Sequence, residues 1–208
     1  MNQRLMTRLF VFGLLGLAAG IVVLYATFST VPLGEKHRPI DELGGPFTLQ
    51  TKQGPFSLSD IEGKVGVLYF GFLNCTEACP ASIAVFRSAL AQLSDEEKQD
   101  VQFVFISVDP ARDSLDDLDA FSGYYGGDMV AVTGSEQEID NLTRDYGVFF
   151  DLVDLEGSAL EYTVDHSSRF YMVDQTGDLL TTMSHSTTPT ELAARIQQII
   201  KGEYTPPI

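Results

Sequence analysis

Residues 64–80 read KVGVLYFGFLNCTEACP and contain both cysteines of the 208-residue chain. The segment 64–72 is apolar and rich in residues that favour strands, so it predicts a buried β-strand. Pro80 is a favourable first residue for a helix, because its missing N–H would have no partner there. Cys75 and Cys79 are therefore predicted to lie in the turn between a strand and a helix.

Two cysteines at the start of a helix are well placed to react as thiolates or to bind a metal. The partial positive charge at that end of a helix lowers the pKa of a thiol, and the resulting thiolate is both a nucleophile and a metal ligand. A structural disulfide is the alternative. It stabilises most when it closes a long loop, whereas Cys75 and Cys79 would close a very short one. The spacing thus favours a functional pair.

The order of the other predicted elements indicates an α/β domain over residues 45–202, followed by a tail at 203–208. Apolar runs, turn signals and capping boxes predict these elements. They are a hairpin (47–50 and 56–58), the strand 64–72, a helix from Pro80, a strand (101–108), a helix (114–125), a strand (129–132), a helix from Ser135, a hairpin (170–173 and 179–183) and a helix from Thr188 that ends at Gly202. A βαβ unit followed by a β-hairpin and a closing helix is typical of a thioredoxin-like fold.

The N-terminus is predicted to anchor this domain in a membrane. Residues 9–31 are 23 residues without a charged side chain, and at ~1.5 Å per residue such a helix spans a ~30 Å hydrocarbon core. Arg4 and Arg8 precede the run, which predicts a cytoplasmic tail at 1–8 and export of the linker 32–44 and everything after it. We expect a single-pass protein of the bacterial inner membrane with its C-terminal domain in the periplasm. A cleaved signal peptide is the competing interpretation.

The predicted exported part is strongly acidic. Residues 1–34 contain two basic and no acidic side chains, which leaves 11 basic and 29 acidic residues, a formal charge of −18, for the rest of the chain. This charge argues against nucleic acid as a partner. The acidic segments 95–97 and 113–119 are predicted to be solvated helix faces, with steering of cations or basic partners as the alternative.

One histidine is predicted to lie opposite the cysteines. In a thioredoxin-like layout the strand-to-helix turn faces the loop before the second hairpin, which here is 165–168 and contains His166. Two thiolates and one imidazole suit copper, Cu(I) especially and Cu(II) with added ligands, whereas a closed zinc site needs a fourth protein ligand. The alternative is a surface His166 that is hydrogen-bonded to Asp165. His37 and His185 are predicted to be solvated.

Three segments carry a resemblance to a known family. They are YFGFLNCTEACP (69–80), VFISVDPARD (104–113) and VDHSSRFYMVD (164–174). In this order they resemble the Sco (SenC) family of membrane-anchored, thioredoxin-like copper chaperones that help to assemble cytochrome c oxidase. The resemblance implies that Cys75, Cys79 and His166 bind copper, that the target is the binuclear copper centre of oxidase subunit II, and that an upstream protein supplies the metal. Thr76 stands where family members often have proline, which affects the stiffness of the loop but not the ligand set.

Two functions are compatible with this sequence. The first is a copper metallochaperone, a delivery protein without turnover. The second is a thiol–disulfide oxidoreductase that uses Cys75 and Cys79 to reduce target cysteines during oxidase assembly or redox signalling. His166 distinguishes them, because thiol exchange does not need an imidazole. A thiol peroxidase is rejected, because residues 68–74 contain neither the proline nor the threonine or serine that such enzymes place before the reactive cysteine.

Overall fold

The computed structural model describes residues 38–126, 128–155, 157 and 162–206. The predicted cytoplasmic tail 1–8, the predicted anchor 9–31 and residues 32–37 of the linker, including His37, lie outside the described residues. Within the described ranges, no helix is long and apolar enough to cross a membrane. The described fold is therefore that of the predicted exported domain.

Nine strands and five helices make up the described part of the chain. The strands are β1 (Thr48–Thr51), β2 (Gly54–Ser57), β3 (Val65–Gly71), β4 (Val101–Ser107), β5 (Met129–Val132), β6 (Phe150–Asp154), β7 (Tyr162–His166), β8 (Arg169–Val173) and β9 (Leu179–Ser184). The helices are α1 (Ala78–Leu90), α2 (Asp95–Gln99), α3 (Leu115–Tyr124), α4 (Glu136–Asp145) and α5 (Pro189–Ile200), with 3-10 turns at Ile40–Glu42 and Leu58–Ile61. Every element predicted within residues 45–202 is present, with bounds that agree to within two residues.

Five of the strands form a central sheet in the order β5–β4–β3–β8–β9. β3, β4 and β5 run parallel, whereas β8 pairs antiparallel with β3, and β9 pairs antiparallel with β8. All seven residues of β3 are buried, as expected for a strand with both of its faces covered. The segment that contains the cysteines therefore leaves the centre of the sheet, at the carboxyl ends of its parallel strands.

Alternation along β3 divides the hydrophobic core between the two faces of the sheet. On one face Tyr69 belongs to a cluster with Phe86 of α1 and Ile196 of α5. On the other face Phe70 packs against Tyr146, which follows α4 directly, with 5.9 Å between the ring centroids. Helices on both faces of a mixed sheet are the predicted α/β architecture.

The helix α1 begins at Ala78, two residues before the predicted start, so that Cys79 lies in its first turn rather than before it. The cause is the Cys75 thiol. Its Sγ accepts a hydrogen bond from the backbone N–H of Cys79 at 3.3 Å, and so satisfies a donor that the first turn of a helix leaves without an intrahelical partner. Pro80 follows in the same turn, where its missing N–H is not needed.

The structure also contains a hairpin that the sequence analysis did not predict. β6 and β7 pair antiparallel, with Phe150 opposite His166 and Asp154 opposite Tyr162. Within the described residues, β6 and β7 pair with no other strand. His166 is therefore the last residue of a strand, and its predicted position in a loop was wrong.

Candidate metal centre

Cys75 lies in the loop between β3 and α1, four residues after the strand ends. Its backbone N–H donates to the carbonyl of Phe72 at 3.2 Å, which turns the chain back toward the sheet. The side chain is half-buried and the thiol is free. The backbone therefore fixes the position of Cys75, while its sulfur stays accessible from one side.

Cys79 is only 1% exposed and packs against the end of β3. A Cβ on Gly71 would lie 2.7 Å from the Sγ of Cys79, which is closer than side-chain atoms approach one another. Glycine at position 71 is thus what allows the sulfur to lie directly against the central strand.

His166 ends β7 and points its Nε2 atom at the thiols, with 3.8 Å between Nε2 and the Sγ of Cys79. Two aromatic rings hold the imidazole edge to face: Tyr69, with 6.2 Å between centroids, and Phe72, with 5.7 Å. The Nδ1 atom is buried and has no hydrogen-bond partner among the described residues. The alternative prediction, in which His166 is a surface residue bonded to Asp165, was therefore wrong.

The two thiols differ in their affinity for a proton. The hydrogen bond from the Cys79 thiol lowers the pKa of Cys75 to about 3, and it is reinforced by His166 and by the backbone N–H of Cys79, which outweigh the opposing effect of burial. The same hydrogen bond to Cys75, together with burial, raises the pKa of Cys79 above its usual range. The predicted lowering of the thiol pKa is thus found for Cys75, although the hydrogen bond from Cys79 is its largest cause, and it was wrong for Cys79. The hydrogen bond between the two thiols therefore favours the thiolate at Cys75 and the protonated form at Cys79.

The ligand atoms of Cys75, Cys79 and His166 all lie within 4.8 Å of one another, which is close enough to hold one metal ion. Two donors that share an ion at bond lengths of about 2.0 and 2.3 Å, and at about 120°, are roughly 3.7 Å apart, close to the separation of Cys79 and His166. A cleft of about 220 Å³ opens beside the three donors and includes Asn74 and Thr163 in its lining. The structure brings together all three predicted residues. Of the two other histidines, His185 is exposed and is not part of this group, and His37 lies outside the described residues.

A second layer of residues around the site was not predicted from the sequence. The Tyr69 hydroxyl accepts a hydrogen bond from Ser82 at 3.1 Å and also interacts with the Cys79 thiol, whose pKa it lowers. Asp113, predicted to be on a solvated helix face, is only 1% exposed. The prediction was wrong because Asp113 precedes α3, where a serine hydroxyl and a backbone N–H can both donate to it. No local sequence pattern marks Asp113 as buried, because the backbone N–H of Leu73 that donates to it is 40 positions away in the chain.

Comparisons with known proteins identify the family of this chain. The model of the SCO1/SenC family matches residues 35–201. Protein SCO2 of yeast mitochondria (Saccharomyces cerevisiae) is 33% identical over 139 residues, which are 66% of this chain and 46% of that protein. The chain thus spans about half the length of this relative.

Solved structures give the same result. Copper-bound yeast Sco1 superimposes with a TM-score of 0.70 at 31% identity, covering 79% of this chain and 91% of the other. BsSco, a member of the Sco family of cytochrome c oxidase assembly proteins in which a disulfide switch was identified, superimposes with a TM-score of 0.60 at 25% identity, covering 81% and 99% of the two chains. The fold is thioredoxin-like, and the chain belongs to the SCO1/SenC family.

Proposed function

We propose that this protein is a copper metallochaperone that holds its cargo between Cys75, Cys79 and His166. The observation that carries the proposal is the convergence of the three donor atoms within 4.8 Å of one another. Soft thiolates combined with an imidazole are a donor set that suits copper, Cu(I) in particular. The copper-bound structure of yeast Sco1 supports this choice of metal, because both chains belong to one family.

The accessibility of the site is suited to passing copper on. The cleft beside the donors lies between the β3–α1 loop and β7, and Cys75 lines it. A thiolate or imidazole of another protein can approach the donors through this cleft, so the metal can be transferred directly from one protein to the other without release into water. We propose that the acceptor is the binuclear copper centre of cytochrome c oxidase subunit II and that an upstream protein supplies the copper. The description of BsSco as belonging to a family of oxidase assembly proteins supports this acceptor.

The same proposal includes a location. The uncharged segment 9–31 and the arginines before it, Arg4 and Arg8, are the basis for an uncleaved anchor in the bacterial inner membrane and a copper-binding domain in the periplasm. In that compartment thiols meet oxidants, and Cys75 and Cys79 must be reduced in order to bind metal.

Copper binding accounts for more of the site than thiol–disulfide exchange does. Thiol–disulfide exchange uses two sulfurs, one of them an accessible thiolate. Cys75, which is the more exposed of the two and has the lower pKa, meets that need. Exchange leaves unexplained why the Nε2 of His166 lies 3.8 Å from the buried Sγ of Cys79. A metal ion explains all three side chains.

The substitution His166→Ala tests the proposal. We expect the reduced full-length chain to bind one copper ion, and the variant to bind it at least tenfold more weakly, because the third donor is lost. The fold should be unchanged, since His166 ends a hairpin that, within the described residues, pairs with no strand of the central sheet. The measurement is a competition with a chromophoric copper chelator, together with metal analysis of the purified protein.

His185→Ala is the matched control, because His185 is the exposed histidine of the described domain. It should bind copper like the unmodified chain. Equal copper affinity of all three proteins would contradict the proposed ligand set. A His166→Ala variant that loses copper yet supports full oxidase assembly in cells at limiting copper would favour the thiol–disulfide function instead.

A further inference from the structure

The segment Asp109–Asp113, which follows β4, folds into a single tight turn. The backbone N–H groups of Arg112 and Asp113 both donate to the carbonyl of Asp109, at 3.1 and 2.9 Å. Both aspartates are buried, with 2% and 1% of their surfaces exposed. Burial of a carboxylate is costly unless hydrogen bonds and counter-charges compensate for it, so the partners of these two groups indicate what the turn does.

Asp113 reaches toward the cysteines. Its Oδ2 accepts a hydrogen bond from the hydroxyl of Ser107, at the end of β4, at 2.6 Å. The same oxygen accepts the backbone N–H of Leu73 at 2.9 Å. Leu73 lies two residues before Cys75, in the loop that carries the thiol. Asp113 therefore ties the cysteine loop to the end of the neighbouring strand.

Asp109 and Arg112 reach in the other direction, toward the hairpin that carries the histidine. The Tyr162 hydroxyl donates to Oδ1 of Asp109 at 2.8 Å, and Nη1 of Arg112 donates to the carbonyl of Tyr162 at the same distance. The guanidinium also lies 3.5 Å above the centre of the Tyr162 ring. Nε of Arg112 donates to Oδ2 of Asp109 at 2.6 Å. Tyr162 is thus held by its ring, its hydroxyl and its backbone.

Tyr162 is the first residue of β7, and His166 is the last. Because the described part of this hairpin pairs with no strand of the central sheet, the ladder hydrogen bonds of the sheet do not fix its direction. A strand of five residues is extended and stiff, so an attachment at one end orients the other end about 13 Å away. The contacts of Tyr162 can therefore orient the side chain of His166 at the other end of the strand.

We propose that Asp109, Arg112 and Asp113, together called the aspartate clamp, set the separation between the thiols and the imidazole of the copper site. These are positioning residues that do not touch the metal. Asp113 holds the cysteine loop, Asp109 and Arg112 hold the start of β7, and the single turn that joins them fixes the two parts relative to each other. The inference rests on the proposed copper function and identifies what positions that site.

The test is a double-mutant cycle between Tyr162→Phe and His166→Ala. The phenylalanine keeps the ring beneath Arg112 and removes only the hydroxyl that bonds to Asp109. If the clamp aims His166, Tyr162→Phe should weaken copper binding about tenfold, the lower end of the losses seen when an outer partner of a metal ligand is removed. In the His166→Ala background the same substitution should have no further effect, because there is no imidazole left to aim.

Tyr204→Phe is the matched control. The Tyr204 ring lies 4.2 Å beneath the guanidinium of Arg195, so it is another stacked tyrosine–arginine pair, formed with the last helix. It should change neither copper affinity nor the cycle.

Arg112→Lys is a second variant of the clamp, since it keeps the charge and loses the planar group that bridges Asp109 and Tyr162. It should reproduce the effect of Tyr162→Phe and guards against a variant that fails to fold.

A second measurement separates positioning from general destabilisation. The reduction potential of the Cys75–Cys79 pair in the metal-free protein should be the same in His166→Ala and in the double variant Tyr162→Phe/His166→Ala, because without the imidazole the histidine side of the clamp no longer reaches Cys75. Asp113→Asn should shift the potential, because Asp113 holds the cysteine loop directly.

The outcomes are distinct. Equal losses of affinity from Tyr162→Phe in both backgrounds, or no loss in either, would overturn the clamp while leaving the copper function intact. Failure of the unmodified chain to bind copper would overturn the proposed function and the clamp together.

Discussion

The substitution Gly71→Ala adds one methyl group beneath the copper site, and its effect follows from the structure. Gly71 is the last residue of the central strand β3. A Cβ at this position would lie 2.7 Å from the Sγ of Cys79, and 2.9 and 3.1 Å from two ring carbons of Phe105. Cys79 and Phe105 are both fully buried, so neither can move aside into solvent.

Two opposing effects decide the magnitude. Forcing an additional methyl group into a packed core costs about 1–3 kcal/mol. Replacing glycine by alanine also restricts the unfolded chain, which favours the folded state by about 0.4–1 kcal/mol. The net expectation is a loss of roughly 1–2 kcal/mol in the free energy of unfolding. At a urea dependence of about 2 kcal/mol per molar, the unfolding midpoint should fall by roughly 0.5–1 M.

Gly123→Ala is the matched control, because Gly123 lies within α3 and a Cβ there would meet no described atom within 4 Å beyond its chain neighbours and the backbone of its own helix. That variant should gain about 0.5–1 kcal/mol, the usual benefit of alanine over glycine in a helix. The assay is urea unfolding of the reduced, metal-free chain, followed by copper titration. Gly71→Ala should also bind copper more weakly, because the Sγ of Cys79 is displaced from its position beside His166. Equal midpoints for Gly71→Ala and Gly123→Ala would refute the steric argument.

Three further predictions concern the thiols and the N-terminus. Cys75 and Cys79 should form a reversible intramolecular disulfide that blocks copper binding; two free thiols persisting under mild oxidant, or copper bound equally well after oxidation, would contradict it. In the reduced metal-free chain, Cys75 should be alkylated before Cys79. The alkylation rate of Cys75 should hardly fall between pH 8 and pH 6, because its lowered pKa keeps the thiolate populated as the pH falls. A tenfold fall in that rate per pH unit, as for an ordinary thiol, would show that the pKa of Cys75 is not lowered. N-terminal sequencing of the membrane-bound protein should find the segment 9–31 retained, and a mature N-terminus beyond residue 26 would indicate a cleaved signal peptide.

Elements were predictable where burial or capping leaves a recognisable local pattern. The strands β3 and β4 are continuous apolar runs because both faces of the sheet are covered. The helices α4 and α5 begin at reciprocal capping boxes that the structure contains, at Ser135 and Thr188. The hairpin β6–β7 has no such pattern, because four of the five residues of β6 are exposed. Its apolar and acidic residues do not alternate, so it could not be distinguished from a loop.

The three donor residues of the candidate site were predictable from the sequence, but the residues that hold them in position were not. The short spacing of Cys75 and Cys79, and the place of His166 in the order of elements, were sufficient to group the three residues. Asp113 was misassigned because a run of acidic residues normally faces solvent. Its burial depends on the Leu73 N–H, which is 40 positions away in sequence. No local pattern reports such a contact.

The position of His166 on a separate hairpin divides the metal donors between two regions of unequal local stability. Both cysteines are attached to the central strand, whose amides should be among the slowest to exchange with deuterated water, since they open only when the domain unfolds. Within the described residues, β7 pairs only with β6, and its attachment to the rest of the domain rests on a few side chains such as Tyr162 and Val164, so β7 should exchange earlier than β3. The imidazole is therefore the donor that can depart while both sulfurs stay in place. Such an order of departure would let an acceptor replace the nitrogen first and draw the ion away from the thiolates afterwards.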